Sequence, residues 1–127
     1  MRYALLLYAD VERARRTTPD EAAAELAVYA AITEELESAG VLVGGEAFMP
    51  ADAARLVELR EGQRHVSSVE APMRELSGFY LVDCGEQQAL DIAARMPVAT
   101  HGAVEVRPLM TLPEQDRFRS TGRGPQT

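Results

Sequence analysis

The sequence predicts an α+β domain, a split β-α-β sandwich in which two helices cover one face of an antiparallel sheet. Three observations support this class. Four segments have the apolar or alternating pattern of strands, two longer segments carry helix start and stop signals, and a hairpin pattern lies between them. The order is strand, helix, strand, hairpin, strand, helix, strand, which is β-α-β-β-α-β with one hairpin inserted. A chain of 127 residues is long enough for one hydrophobic core and too short for two.

The first strand and the first long helix are the clearest elements. Residues 2–8, RYALLLY, predict a central strand buried on both faces, and Tyr8 at its end carries a phenol that needs a hydrogen-bond partner. The charged residues 10–17 are predicted to form a loop. Residues 18–21, TPDE, combine an N-cap threonine, a proline at the first helical position and a glutamate that completes a capping box. A helix is therefore expected from this point to about Ala39.

One carboxylate lies inside the apolar face of this helix. Helical periodicity of about 100° per residue places one set of residues on a common arc that should face the sheet: Ala22, Leu26, Tyr29, Ile32, Leu36 and Ala39. Glu25 falls within the same arc, one turn before Tyr29. Two interpretations are open, because Glu25 can be an edge residue whose carboxylate reaches solvent or a residue that lines a pocket.

The stretch that follows the helix delivers a second carboxylate. Gly40 has the chemistry of a helix terminator, because glycine adopts positive φ without steric cost. Residues 41–43, VLV, predict a short buried strand. The glycine pair 44–45 allows close backbone approach or a sharp bend, and Glu46 follows it directly. Glu46 is expected either at the mouth of a pocket or exposed beside a bulge.

The second half of the chain completes the pattern. Further strands are predicted at residues 55–60, 63–69, 78–82 and 103–109, and a second helix at residues 86–96. The apolar face of that helix consists of Ala89, Leu90, Ile92, Ala93 and Met96. Residues 70–75 are predicted to be a loop. A domain over residues 1–110 is expected to precede a flexible C-terminal tail at residues 111–127, which is polar and contains glycine and proline.

Composition excludes several classes of function. A net charge of −7 argues against nucleic acid and against an anionic membrane as partners. The single cysteine, Cys84, excludes an internal disulfide, and neither a signal peptide nor a long apolar span is evident. A cytoplasmic protein is the expectation.

Several segments together resemble the YCII-related family, in its DGPF subgroup. The resemblance covers about residues 1–110 and is carried by RYALLLY, the helix with Tyr29 and TEEL, AGVLVGGE with its following proline, LSGFYLVD and HGAVEVRPLM. It implies a ferredoxin-like dimeric α/β barrel. It also implies two contexts for function, since some relatives are similar to dehydrochlorinases of aromatic degradation, and many subgroup members are encoded near extracytoplasmic-function sigma factors.

The chain departs from the subgroup at its name-giving motif. Val66-Ser67-Ser68-Val69 stands where Asp-Gly-Pro-Phe is usual, and the acidic and lysine residues that follow are replaced in residues 71–74, APMR. His101 stands where the subgroup usually has tyrosine. A helix histidine of the wider family has no counterpart here, and Tyr29 lies at about its level. The resemblance therefore describes a diverged member.

The titratable residues predict proton transfer without a cofactor. The sequence lacks a Ser-His-Asp spacing, a P-loop, a zinc-type Cys/His cluster and a dinucleotide-binding glycine pattern, so neither a metal nor a cofactor is expected. His101 and Glu46 are the candidate catalytic residues, because histidines and buried carboxylates serve as general acids and bases near neutral pH. The candidate substrate-binding residues are Tyr8, Glu25, Tyr29 and Tyr80. Tyr8, Tyr29, Glu46 and His101 are predicted to line one pocket at the strand ends.

Two functions from different classes remain open. The first is a lyase, isomerase, dehydratase or cyclase acting on a small, oxygenated, cyclic metabolite of specialised metabolism. The second is a non-catalytic accessory dimer that binds a ligand or regulates a partner, in keeping with the sigma-factor association. Both include a homodimer, because the sheet face without helices needs a second copy to cover it.

Overall fold

The computed structural model describes residues 1–70 and 73–111, so the predicted tail lies, apart from Thr111, outside the described residues. The described residues form the following elements: β1 (Arg2–Asp10), α1 (Val11–Arg16), α2 (Pro19–Ser38), β2 (Leu42–Ala47), β3 (Arg55–Arg60), β4 (Gln63–Ser68), β5 (Arg74–Asp83), α3 (Glu86–Arg95) and β6 (Ala103–Pro108). Single turns of 3₁₀ helix lie at Ala51–Ala53 and Pro97–Thr100. Of the predicted loop at residues 70–75, residues 71 and 72 are not described, and β5 begins at Arg74.

The strands β2, β5, β1 and β6 form an antiparallel four-stranded sheet in that order. This order confirms the α+β prediction and is consistent with a ferredoxin-like arrangement. β3 and β4 pair as a separate two-stranded sheet, as the hairpin pattern predicts. Its turn places both Glu61 (φ 53°) and Gly62 (φ 78°) at positive φ, the conformation that two-residue hairpins with a right-handed twist require.

The side chains of β1 alternate between the two faces of the sheet. This strand lies between β5 and β6, as predicted for a central strand. Tyr3, Leu5 and Leu7 are buried in the core with residues of α2 and α3. Side chains alternate along a strand, so Leu6 and Tyr8 lie on the other face, and both are only half-buried by the rest of the chain. This second face, away from the helices, is called the open face below.

Helix α2 begins and ends as the sequence predicts. Thr18 Oγ1 accepts a hydrogen bond from Glu21 N at 3.1 Å, and Glu21 Oε1 accepts one from Thr18 N at 2.9 Å, which completes the capping box. Beyond the C-terminal end, Gly40 adopts φ 72°. Ile32 and Leu36 in the second half of the helix are buried in the core.

The first half of α2 does not pack as predicted. Ala22 is exposed and Leu26 is 68% exposed, although both belong to the predicted core arc; Ala39, which follows the C-terminal end of the helix, is exposed as well. The sheet presents small residues opposite the first half, so the helix face there borders open space. In α3 the predicted core face is confirmed except at Leu90, which is exposed.

The predicted loop at residues 10–17 is wrong, because Val11–Arg16 is a short helix. Asp10 caps it: Oδ1 of Asp10 accepts a hydrogen bond from the backbone N–H of Arg13 at 3.0 Å. A single turn of charged residues has no apolar periodicity, so its pattern resembles that of a loop. This helix brings Arg13 toward the start of α2.

Candidate functional site

Two adjoining cavities lie beneath the first half of α2. The first, called the dyad cavity, has a volume of about 420 Å³, and the residues that line it include Asp10, Arg13, Thr17, Glu25, Tyr29 and His101. The second, called the apolar cavity, has a volume of about 480 Å³, and the residues that line it include Leu7, Leu26, Leu42, Gly45, Gly78 and Tyr80. Tyr29 and Ser77 line both. Cavities of this size are typical of small-molecule sites.

His101 is the most unusual group of the dyad cavity. Its side chain is only 15% exposed, and within residues 1–70 and 73–111 neither buried ring nitrogen has a hydrogen-bond partner. The 3₁₀ turn before it positions the residue, since His101 N and Gly102 N both donate to Val98 O, at 3.2 and 2.7 Å. Buried polar atoms are almost always hydrogen-bonded in native structures, so an unpaired buried imidazole is a candidate for contact with a ligand.

A carboxylate faces this imidazole. His101 Nε2 lies 3.6 Å from Glu25 Oε1, and the same oxygen accepts a hydrogen bond of 2.9 Å from Arg13 Nη1. The Glu25 side chain is 29% exposed, so the pair sits at the edge of the cavity rather than in bulk water. The Glu25 carboxylate thus lies between the imidazole of His101 and the guanidinium of Arg13, which holds it in place. The arrangement supports transfer of a proton to and from His101.

Tyr29 supplies a hydrogen-bond donor between the cavities. Its hydroxyl oxygen accepts from Val98 N at 3.1 Å, and no described residue accepts the hydroxyl proton. Burial raises the pKa of Tyr29 above its ordinary value, and the nearby Glu25 carboxylate adds to the increase. The phenol therefore stays protonated at neutral pH and is available as a donor to a ligand.

Small residues in the sheet create the apolar cavity. Gly78 pairs with Leu7 on one side and Ala47 on the other, and Gly45 pairs with Tyr80, so all of these residues share the helix-facing side of the sheet. A Cβ at Gly45 would lie 2.7 Å from the carbonyl oxygen of Phe79. The prediction of close backbone approach at the glycine pair is thus confirmed at Gly45. Because Gly45 and Gly78 carry no side chain beyond a hydrogen atom, the space between them and Leu26 forms the apolar cavity.

The polar edge of the apolar cavity is an ordered hydrogen-bond chain. Thr33 Oγ1 donates to the Tyr29 carbonyl oxygen at 2.8 Å and lies 2.9 Å from the Tyr80 hydroxyl. Because the one proton of Thr33 is used, Tyr80 is the donor in the second bond. The Tyr80 oxygen keeps its lone pairs for a ligand, so the site offers a donor at Tyr29 and an acceptor at Tyr80.

The structure does not place the predicted residues in one pocket. Tyr29, Glu25 and His101 lie together in the dyad cavity, whereas Tyr80 and Glu46 border the apolar cavity. Glu46 pairs with Phe79, and Phe79 is on the face opposite to Tyr80. Glu46 therefore borders the apolar cavity at the edge strand β2, while its exposed side chain is directed to the open face.

Tyr8 also lies on the open face and lines neither of these cavities. Its hydroxyl donates to Glu105 Oε1 at 3.3 Å. Strand alternation turns Tyr8 and Glu46 away from the helices, so neither lies with Tyr29 and His101 in the dyad cavity, and a role for either residue at the site stays a prediction.

Two residues of the site were missed by sequence reasoning. Arg13 was missed because α1 was predicted to be a loop, although Asp10 three positions before Arg13 is an N-cap signal. Ser77 is the extra residue of a β-bulge, since Leu7 pairs with Gly78 and Tyr8 with Leu76. Its hydroxyl donates to Leu7 O at 3.2 Å. A bulge of this kind has no clear sequence signal.

The sheet order and helix layer define an α+β sandwich of ferredoxin-like type with two small-molecule-sized cavities under one helix. The YCII-related domain model matches residues 1–113, and the chain belongs to this family. No curated protein matches the chain in sequence. None of the helices in the described ranges has the length and apolar character needed to cross a membrane. The described residues contain no group of three or more His, Cys, Asp or Glu side chains placed to hold a metal ion.

Proposed function

We propose that this protein is a cofactor-independent acid–base enzyme, a lyase, isomerase, dehydratase or cyclase, acting on a small oxygenated molecule. The observation that carries the proposal is the buried, unpaired imidazole of His101, 3.6 Å from Glu25 inside a cavity. Groups with this environment are typical of sites that move protons. Glu46, the other candidate for proton transfer, has no role in this proposal, and Glu25 is the carboxylate that faces the imidazole.

The proposed step is removal of a proton from a carbon next to a carbonyl group. The C–H bond breaks, its proton goes to a ring nitrogen of His101, and its electron pair moves to the substrate oxygen as an enolate forms. Glu25 stabilises the imidazolium, and Arg13 keeps the carboxylate in place. The Tyr29 hydroxyl donates to the oxygen on which charge develops. Return of the proton to another atom completes an isomerisation, and loss of a leaving group completes an elimination.

Exchange of α-protons in D₂O tests this step directly. A panel of cyclic ketones is followed by NMR with the wild-type protein and with His101→Gln and Glu25→Gln. Loss of a positioned general base lowers the rate by about 10²-fold or more, and Glu25→Gln should lower it by less. His65→Gln is the matched control, because His65 lies exposed in β4. Equal exchange by wild type and His101→Gln would refute the proposal.

The same experiment distinguishes the proposed enzyme from the non-catalytic alternative. A ketone that binds in the cavities without exchange, in wild type and variants alike, would identify an accessory ligand-binding protein. The sequence departures at Val66-Ser67-Ser68-Val69 are the reason for keeping this outcome in the design. We also propose that the chain is a diverged member of the DGPF subgroup, and these departures are the divergence.

We further propose a homodimer through the open face, which would close two sheets into a dimeric α/β barrel. Helices α2 and α3 contribute to the core on the opposite face, so neither of them covers Leu6, Phe79 and Leu81. The rings of Phe48 and Phe79 lie 5.7 Å apart and enlarge this apolar surface. Burial of such a face between two copies is the common solution for a small open sheet.

A further inference from the structure

We infer that the substrate is an uncharged ketone of two or three rings, with its ring system in the apolar cavity and its oxygen in the dyad cavity. This inference rests on the proposed function, because it assigns a substrate class to the same site. It is carried by three features of the described residues: the volume of the apolar cavity, the charge of the dyad cavity and the position of Tyr29 between them.

The volume of the apolar cavity sets the size of the ring system. Its volume is about 480 Å³, and its walls include the aliphatic side chains of Leu7, Leu26 and Leu42. A cavity of about 150 Å³ is enough to bind one benzene molecule. A single ring would leave most of this space unfilled, whereas two or three fused rings match it. An apolar ligand in this cavity would also bury part of the exposed Leu26.

The charge of the dyad cavity sets the charge of the polar end. Two carboxylates, those of Asp10 and Glu25, and one guanidinium, that of Arg13, belong to the described lining of the dyad cavity, which is therefore negative by one charge when His101 is neutral. The guanidinium is already bonded to Glu25 at 2.9 Å. A carboxylate or phosphate would meet two carboxylates and, among these lining residues, an arginine that is already paired, and the chain as a whole carries −7. An uncharged oxygen avoids this repulsion and is a suitable acceptor for the Tyr29 hydroxyl.

The position of Tyr29 links the two ends of the ligand. Tyr29 and Ser77 line both cavities, so a molecule seated below Leu26 reaches the His101–Glu25 pair by passing the Tyr29 side chain. The hydroxyl is held by Val98 N at 3.1 Å and keeps its proton for donation. A ring ketone with its oxygen at Tyr29 places its adjacent C–H bonds toward the dyad cavity.

Three tryptophan substitutions on α2 test whether one ligand uses both cavities. Ala22→Trp fills the dyad cavity, and Leu26→Trp, one turn later, fills the apolar cavity. Ala24→Trp is the matched control, because Ala24 is exposed on the same helix and lines neither cavity. All three residues are exposed on α2, so we expect the substitutions to leave the fold intact. Circular dichroism of each variant checks this.

The probes are 2-tetralone, cyclohexanone and 2-naphthoate, and binding is followed by ¹H–¹⁵N NMR titration. We expect 2-tetralone to bind about tenfold or more tighter than cyclohexanone, because it buries four more carbon atoms. It should also bind about tenfold tighter than 2-naphthoate, because of the charge of the dyad cavity. Ala22→Trp and Leu26→Trp should each weaken 2-tetralone about tenfold, and Ala24→Trp should leave its affinity unchanged.

Several results would overturn the inference. These are equal or tighter binding of 2-naphthoate, unchanged affinity in either cavity-filling variant, or no saturable 2-tetralone binding up to about 1 mM. The proposed function fails in a different way. Tight binding across both cavities without proton exchange keeps the substrate class and removes the enzyme. Exchange on cyclohexanone that Leu26→Trp leaves unchanged keeps the enzyme and removes the substrate class.

Discussion

Adding a single methyl group at Gly102 should lower the stability of the protein and displace His101 at the candidate site. Gly102 follows His101 and precedes β6, where the chain passes directly over the end of β1. A Cβ at this position would lie 3.1 Å from the carbonyl carbon of Tyr8, 3.3 Å from Cα of Ala9, and closer still to the Tyr8 carbonyl oxygen. These are backbone atoms of a central strand and cannot rotate away. Gly102→Ala therefore forces β1 and the start of β6 apart.

The size of the effect follows from this geometry. Carbon atoms rest about 3.5–4.0 Å apart, so several contacts must lengthen by a few tenths of an ångström and the oxygen contact by more. Overpacking of this kind destabilises by about 1–3 kcal/mol. For a domain of this size that corresponds to a fall in melting temperature of about 4–12 °C, measured by calorimetry. The same shift moves His101 away from Glu25, and a displacement of about 1 Å can lower a catalytic rate about 10²-fold.

Gly44→Ala is the matched control. Gly44 also lies at a strand of the same sheet, and no described atom outside its immediate neighbours comes within 4 Å of a Cβ built there. This substitution should leave stability unchanged or raise it by about 0.4–1 kcal/mol, because it restricts the unfolded chain. A Gly102→Ala protein that melts within about 1–2 °C of wild type would show that β1 and β6 move apart at little cost in the free energy of unfolding. The steric reasoning would then be wrong.

Three further predictions concern assembly, pH and the chain terminus. Light scattering should give twice the 13.9 kDa of one chain, and Leu6→Asp should give a monomer, since the charge would lie in the proposed interface; a wild-type monomer would exclude the barrel. The hydrogen bonds from Thr18 lower the pKa of Glu21, and the bond from Arg95 lowers the pKa of Glu35. Both carboxylates therefore stabilise the fold above their unfolded pKa of about 4.3, and this contribution is lost as pH falls through the lower folded values. Urea unfolding of a Glu21→Gln/Glu35→Gln variant between about pH 5 and pH 3 should accordingly show a smaller loss of stability than wild type; an equal loss would contradict it. Deletion of residues 114–127 should change the melting temperature little, because this segment has the polar, glycine- and proline-containing composition of a tail and the described core lies within residues 3–106; a fall of about ten degrees or more would show that the segment is part of the fold.

Local chemistry was enough to predict most of the fold. The capping box at residues 18–21, the terminator Gly40 and the glutamate–glycine turn of the hairpin depend on contacts between near neighbours, and each is confirmed. The order of elements then restricts an antiparallel sheet with two helices to few topologies. The short helix α1 was missed because one charged turn carries no periodic signal, although its cap, Asp10, was present in the sequence.

The fold class, the order of helices and strands and the set of polar residues available to a site can be predicted from the sequence alone. Which of these polar residues lie close together depends on the tertiary structure. Glu25 was an ambiguous carboxylate on a helix face until the 3₁₀ turn before Gly102 placed His101 at 3.6 Å from it. Glu46 looked equally suitable, but pairing with Phe79 turns its side chain to the other side of the sheet. The physical reason is that successive side chains of a strand point to opposite faces of the sheet. A shift of one residue in strand register therefore moves a side chain from the cavity to the opposite face.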